Sequence, residues 1–259
     1  MSDTFSLQQA LDTAREAAQA AAEVIRHYWR HGVRVERKAD DTPVTVADRE
    51  AEQAIRRIIG ERYPDHAFYG EEFGRQGEGD FLWLVDPLDG TKSFVRRTPF
   101  LSTQIALMHR GQLVLGVSSA PIFGETMWAT VGGGAFLDGE TVHVAGTDTL
   151  AQASISTGNV ATLTADARWD ALGQLIRDSN RIRGYGDFCH YHLLARGGLD
   201  VVVESDVNIL DIAALAVIVR EAGGVFSDLD GNEPGLDTRS VLAAVPVLHE
   251  TVLRRLQRT

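Results

Sequence analysis

The run Phe81-Leu82-Trp83-Leu84-Val85-Asp86-Pro87-Leu88-Asp89-Gly90-Thr91-Lys92 constrains this chain more than any other stretch. Its first five residues form an apolar, strand-like segment that ends in two carboxylates three positions apart, and a short helix through Ser93, Phe94 and Val95 can begin after the glycine. Strand ends and helix N-termini gather functional groups, because backbone N–H groups there lack partners and favour anions. Two acids at such a place repel an anion unless a cation lies between them, so the pattern points to a metal bridging carboxylates and a phosphate. The alternative is a plain acidic turn, since Pro and Asp-Gly are both turn formers.

The segments around this run sort by hydrophobic period. Leu7, Leu11, Ala14, Ala18, Ala21, Ala22, Ile25 and Trp29 recur at helical spacing behind a capping Ser6, and that helix should end near His31-Gly32. A polar, turn-prone connection at 38–43 precedes a second helix, opened by Thr45-Val46-Ala47-Asp48 as a capping pair and running to about Tyr63-Pro64. Gly70-Glu71-Glu72 follows the apolar Ala67-Phe68-Tyr69, and 74–80 reads as flexible.

After the central run the chain turns β-rich. A hairpin is expected from 101–108 and 113–119, with further short strands at 125–130, 135–137 and 141–144. Gly132-Gly133-Gly134 lies before a strand, not a helix, and is therefore a turn and no dinucleotide fingerprint. From Ala153 strands and helices alternate: a strand at Ile155, helices over 169–177 and 187–196, a buried strand over 199–203 ending at Glu204, and an apolar helix over 212–221 opened by Asp211. Gly223-Gly224 stops that helix, strands follow at 225–226 and 241–244, and a last helix covers about 247–258. We read one domain with an N-terminal α+β lobe of about 1–145 and a C-terminal α/β lobe of about 146–259.

Composition narrows the function classes. The 259 residues are 44% apolar, enough for a sizeable core, and carry a net charge of −11. That balance argues against nucleic acid or an anionic membrane as partner. An anionic substrate then needs carboxylate-held metal ions beside it. The single Cys189 excludes an internal disulfide framework and suits a reducing, cytoplasmic setting. The N-terminus lacks a secretory pattern, and the longest apolar run, 212–219, is too short to span a bilayer.

Two other acidic motifs are excluded by spacing. Asp228-Leu229-Asp230-Gly231-Asn232 has Glu233 where a calcium-binding EF-hand loop needs glycine and Arg239 where it needs glutamate, and so reads as a turn. Asp86 and Asp89 have two residues between them, where aspartyl-phosphate phosphatases have one. His190 and His192, two apart on the expected 187–196 helix, read as packing or surface residues.

Taken together, Val44-Thr45-Val46-Ala47-Asp48, Gly70-Glu71-Glu72, Asp86-Pro87-Leu88-Asp89-Gly90-Thr91, and Asp211-Ile212-Ala213-Ala214 followed by Glu221-Ala222-Gly223-Gly224 resemble the inositol monophosphatase family over nearly the whole chain. The resemblance implies an α+β fold, a layered α-β-α-β-α sandwich of the inositol monophosphatase and fructose-1,6-bisphosphatase type. It also implies a Mg²⁺-dependent phosphomonoesterase with two or three ions per site, acting on a small phosphorylated metabolite, commonly as a homodimer. By motif match, Glu71, Asp86 and the Leu88 carbonyl would hold one metal, and Asp86, Asp89 and Asp211 a second. Thr91, oriented by Asp48, would position the attacking water together with Glu71, and Gly90 and Thr91 would offer N–H groups to the phosphate.

Within that family, Arg183-Gly184-Tyr185-Gly186-Asp187-Phe188 with the stretch 206–214 looks most like the bacterial histidinol-phosphate phosphatases. Inositol phosphatases typically carry small neutral residues where this chain has Asp187. A carboxylate there suits an ammonium or imidazolium, so Asp187 and Glu204, with Arg183 in the same run, are the expected substrate-binding residues. Asp187 would also serve as the helix N-cap after Gly186.

Overall fold

The computed structural model describes residues 5–33, 35–37 and 43–257; residues 38–42 of the turn-prone connection lie outside them. The first helix, Leu7–His31, starts where its cap predicts, with the Ser6 hydroxyl accepting the Gln9 N–H at 3.3 Å. Its buried face is a stripe of small residues, Ala10, Ala14, Ala17, Ala18, Ala21 and Ala22, which lets the second helix, Val46–Arg62, pack closely along it. That second helix opens on a full capping box: Thr45 Oγ1 accepts the Ala47 N–H at 3.1 Å, and Asp48 reaches back to the Thr45 N–H at 2.8 Å.

Both helices lie on an eight-stranded sheet. Its order is Glu140–Val142, Gly134–Leu137, Glu125–Thr130, Gln112–Ala120, Ser102–His109, Phe81–Asp89, Ala67–Gly70 and Gly74–Gln76. Neighbours are antiparallel except Ala67–Gly70 and Phe81–Asp89, which run parallel. Strand alternation divides its side chains between two cores. Trp83, Val85, Ile105, Leu107, Leu115 and Val117 face the two N-terminal helices. Leu82, Leu84, Ala106, Met127 and Ala129 face a middle layer, the helices Asp187–Ala195 and Ile209–Glu221.

The helix Ile209–Glu221 is apolar on every side because it has a sheet on each side; all residues from Ile209 to Val219 except Asp211 are buried. Beyond it lies a five-stranded sheet in the order Arg181–Arg183, Ser154–Gly158, Val201–Ser205, Ser240–Ala244 and Val225–Ser227, the first three parallel and the rest antiparallel. The helices Trp169–Asp178 and Pro246–Leu256 cover its far side. The expected α-β-α-β-α sandwich is the observed fold. No helix among the described residues is long and apolar enough to cross a membrane.

Three local differences from the sequence reading have physical causes. The segment 74–80 is not wholly flexible, since Gly74–Gln76 pairs as an edge strand with Ala67–Gly70. The central strand does not stop at Val85 but continues to Asp89, and a register shift between Asp86 and Asp89 absorbs Pro87, which has no N–H for the ladder. The middle-layer helix begins at Ile209 rather than after Asp211, because Asn208 is its cap and accepts the Leu210 N–H at 2.7 Å. The Gly132 and Gly134 turn binds the Glu221 carboxylate through two N–H groups, at 3.0 and 2.9 Å, clipping that helix's C-terminus to the first sheet. The Asp228 loop is a turn, its carboxylate accepting the Asp230 and Asn232 N–H groups at 2.9 and 2.7 Å.

The middle-layer helix comes close against the sheet at Gly116, where a Cβ would stand 2.3 Å from the Ala214 carbonyl oxygen and 2.8 Å from its Cα. Both are backbone atoms of a helix held from two sides. Gly116→Ala is therefore expected to destabilise the fold by about 1–3 kcal/mol, read as a lower midpoint in urea unfolding.

Candidate active site

Two strands, two helix N-termini and one tight turn bring the acids together. Asp86 and Asp89 come from the end of Phe81–Asp89, where the register shift lets both point into the middle layer side. Glu71 follows the neighbouring parallel strand, its N–H donating to the Val85 carbonyl at 3.2 Å. Asp211 stands in the first turn of Ile209–Glu221, with Oδ2 accepting the Asn208 N–H at 2.9 Å and Oδ1 the Asn208 side-chain amide at 2.7 Å. Carboxylate oxygens of Asp86, Asp89 and Asp211 lie within 4.8 Å of one another.

Gly90 makes the turn that follows. Its φ of +87° is left-handed, and a Cβ would stand 2.6 Å from the Phe100 carbonyl oxygen, so only glycine fits. The turn delivers Thr91 to the head of the short helix Thr91–Val95, where its hydroxyl donates to Asp48 Oδ1 at 2.8 Å and lies 3.1 Å from the Leu88 carbonyl oxygen. The other Asp48 oxygen is fully used by Thr45, through its N–H at 2.8 Å and its hydroxyl at 2.6 Å. The Leu88 N–H in turn donates to Asp86 Oδ1 at 2.9 Å.

Every shifted carboxyl in this group is shifted upward. Burial is the first cause for Asp86, followed by the charges of Glu71, Asp89 and Asp211, and its pKa is held well above the usual carboxylate range. Asp89 is likewise held well above it, by burial and then by Asp187 and Asp211. Asp211 is pushed up to about 7 by burial, with Glu71 and Glu204 adding to it against the Asn208 hydrogen bonds. Asp48 is raised by burial in spite of its Thr45 and Thr91 donors. Such a set cannot all be ionised unless a cation compensates it. The donors are all carboxylate, carbonyl or hydroxyl oxygens, which is the set a hard divalent cation takes. The residues present therefore fit one or more such ions.

The expected substrate residues are placed differently from one another. Asp187 is the first residue of Asp187–Ala195, with Gly186 in the cap position instead, and lines a cleft with Asp89, Asp211, Glu204, Tyr191 and Asn159. Its pKa is pushed up to about 6 by burial and then by Glu204. Glu204 reaches the same cleft, but its Oε2 receives the Tyr191 hydroxyl at 2.6 Å and His190 Nε2 at 3.0 Å. His190 Nδ1 lies 3.3 Å from Ser156 Oγ, which also accepts the Tyr185 N–H at 3.2 Å. Arg183 is exposed, donates to the neighbouring Ile182 carbonyl at 2.7 Å and does not line the cleft.

His190, Tyr191, Ser156 and Asn208 are the site-supporting residues that sequence reading missed. The available signal was two histidines in an otherwise apolar helix, since buried imidazoles need polar partners. Cys189, next to them, is an inert thiol, its pKa pushed up to about 11 by burial.

The family model described as the inositol monophosphatase family matches residues 6–259. The chain belongs to this family. Among its relatives, the histidinol-phosphatase of Streptomyces coelicolor is 39% identical over 230 residues, covering 85% of this chain and 86% of that one. The histidinol-phosphatase of Mycobacterium tuberculosis is 39% identical over 232 residues, with 86% and 88% covered. Among solved structures, the extragenic suppressor protein SuhB of Bartonella henselae superposes with a TM-score of 0.88 at 28% identity, covering 96% of this chain and 99% of that one. The Thermotoga maritima IMPase gives 0.85 at 31% identity, with 96% of each covered. The chain is accordingly a phosphatase of this family.

The carboxyl shifts fix how this phosphatase should respond to pH and metal. A carboxyl with a higher pKa folded than unfolded keeps a proton that unfolding releases, so its stabilisation is lost as pH rises from about 4, the unfolded value, through the folded one. Without metal, stability should fall between pH 5.5 and pH 8, and less so in Asp86→Asn. At one Mg²⁺ concentration, a hundredfold above Kd at pH 8, the melting temperature should rise by roughly 5–10 °C at pH 8 and by less at pH 5.5, where protons compete for the carboxylates, and Asp86→Asn should lose most of that rise. Differential scanning calorimetry with EDTA and with Mg²⁺ checks both.

Proposed function

We propose that this phosphatase hydrolyses L-histidinol phosphate to L-histidinol and phosphate, a step of histidine biosynthesis, with Mg²⁺ as its metal. The reading carries with it a cytoplasmic setting and a homodimer. The observation that carries the substrate choice is Asp187 facing Glu204 across a cleft that already contains Asp89 and Asp211. A neutral polyol can offer these carboxylates hydroxyl hydrogen bonds but no charge to pair with them. An ester whose alcohol part bears an ammonium and an imidazole pairs with it. The histidinol-phosphatase names of relatives at 35–39% identity support the same choice.

Because Glu204 Oε2 is engaged by Tyr191 and His190, its part is to set the negative field and hold its own place, and Asp187 is the direct contact for the cationic end. Glu71, Asp86, the Leu88 carbonyl, Asp89 and Asp211 would hold the ions. When bound, these supply positive charge to the phosphate and leaving oxygens and make water a stronger acid. Thr91 donates its one hydroxyl hydrogen to Asp48, which leaves its lone pairs to accept a hydrogen bond from the attacking water and to aim that water at phosphorus. Glu71 takes one proton of that water as its oxygen bonds to phosphorus and the P–O bond to the alcohol breaks; the phosphate keeps the other proton, and the leaving alkoxide takes one up from solvent. The N–H groups of Gly90 and Thr91 face the phosphate oxygens.

The deciding assay is phosphate release from L-histidinol phosphate and from myo-inositol 1-phosphate in parallel, with Mg²⁺ and with EDTA. Strong, EDTA-sensitive preference for histidinol phosphate is expected; preference for the inositol ester would make the enzyme an inositol or broad sugar monophosphatase instead. Asp187→Ala should raise KM for histidinol phosphate about tenfold or more while kcat changes little, as loss of uniform binding does. Thr91→Val should instead lower kcat by about 10²–10⁴, with little change in KM.

A further inference from the structure

Behind Asp89 a line of polar side chains crosses a sheet interior that is otherwise apolar. Ser102 is paired with Asp89 across the strands, and Gln104 is paired with Asp86 on one side and with Ser118 on the other. Ser102 Oγ donates to Asp89 Oδ2 at 3.0 Å. Gln104 Nε2 bonds to Ser102 Oγ at 2.8 Å and to Ser118 Oγ at 3.0 Å, and Ser118 Oγ lies 2.8 Å from His192 Nε2. Ser102, Gln104, Ser118 and His192 are all buried.

The direction of each proton follows from one end. An ionised Asp89 can only accept, so the Ser102 hydroxyl must donate to it and accept from Gln104. The second Gln104 N–H goes to Ser118, whose Oγ meets His192 Nε2. His192 Nδ1 lies 3.9 Å from Glu125 Oε2. The Glu125 carboxylate is itself paired with Arg196 at 3.2 Å.

Stability does not explain this array. Gln104 Oε1 and His192 Nδ1 are buried without a hydrogen-bond partner among the described residues, which is destabilising where leucine or valine would pack at no such penalty. What the array does achieve is orientation. It fixes Ser102, and through it one oxygen of Asp89, against the helix Asp187–Ala195 on which His192 sits. We propose that Ser102, Gln104, Ser118 and His192 are positioning residues for Asp89, registering this metal ligand against the helix that presents Asp187. The proposal rests on the reading of Asp89 as a metal ligand.

The experiment is calorimetric titration of Mg²⁺ into metal-stripped full-length protein. Ser102→Ala should weaken Mg²⁺ binding by about 10–100-fold, as loss of a hydrogen bond to a metal ligand does, and Ser102→Thr, which keeps the hydroxyl, should restore it. Gln104→Met, which keeps the volume, should weaken binding by about three- to tenfold on its own and add nothing in the Ser102→Ala background, because it acts through Ser102. Wild-type affinity in Gln104→Met, or losses that multiply in the double variant, would overturn the inference while the metal reading stands. Should Gln104→Met fail to fold, Ser118→Ala takes its place in the same cycle with the same expected coupling. Absence of Mg²⁺ binding by the wild-type chain would overturn both the inference and the metal reading.

Discussion

Repulsion between clustered carboxylates is the constraint on which this structure depends. Glu71, Asp86, Asp89 and Asp211 are brought to one place from three separate elements, and burial and mutual charge raise the pKa values of Asp86, Asp89 and Asp211. An arrangement like that persists only if the scaffold around it is stiff. The scaffold is a central strand with a register shift, a parallel neighbour, and a helix held between two sheets. A cation bound among the acids would restore the stability given up there, so folding and function would share one free-energy balance.

The same local device serves the site twice. Thr45 with Asp48 and Asn208 with Asp211 are both capping boxes in which an aspartate at the third helical position reaches back to the cap's N–H, at 2.8 and 2.9 Å. In each, that bond immobilises one carboxylate oxygen and so fixes the direction of the other. At Asp48 the second oxygen takes the Thr91 hydroxyl. At Asp211 it also receives the Asn208 amide, which holds the whole carboxylate at the mouth of the cluster. A motif that ordinarily ends the fraying of a helix here aims an acid.

Such local devices are what made much of the fold legible in advance. Caps at Ser6 and Thr45, the hairpin around Gly111 and the turn glycines all act within a few residues, and the elements they predict are present. The acids were legible too, because a strand ending in Asp86 and Asp89 carries its own chemical sense. What could not be read was convergence. Ser156, His190, Tyr191 and Glu204 come from two strands and a helix, and only the tertiary fold makes them neighbours. The start of the middle-layer helix was misplaced for a related reason: Ile209 and Leu210 look like the end of a strand until the Asn208 cap is seen. Arg183 shares a sequence run with Asp187, yet the chain turns at Gly184 to Gly186 and leaves it on an exposed edge.

The helix between the two sheets also sets an order of events during synthesis. The eight-stranded sheet is complete in sequence once Val142 has been made, and its outer face can be covered at once by the two N-terminal helices. Its inner face, with Leu82, Leu84, Ala106 and Met127, is not fully covered until both middle-layer helices, Asp187–Ala195 and Ile209–Glu221, have left the ribosome. The nascent chain therefore carries a half-finished apolar surface through the emergence of residues 143–208, the interval in which it is most prone to aggregate or to engage a chaperone. The acidic cluster, which needs Asp211 from that late helix, can assemble only after the whole eight-stranded sheet has been made.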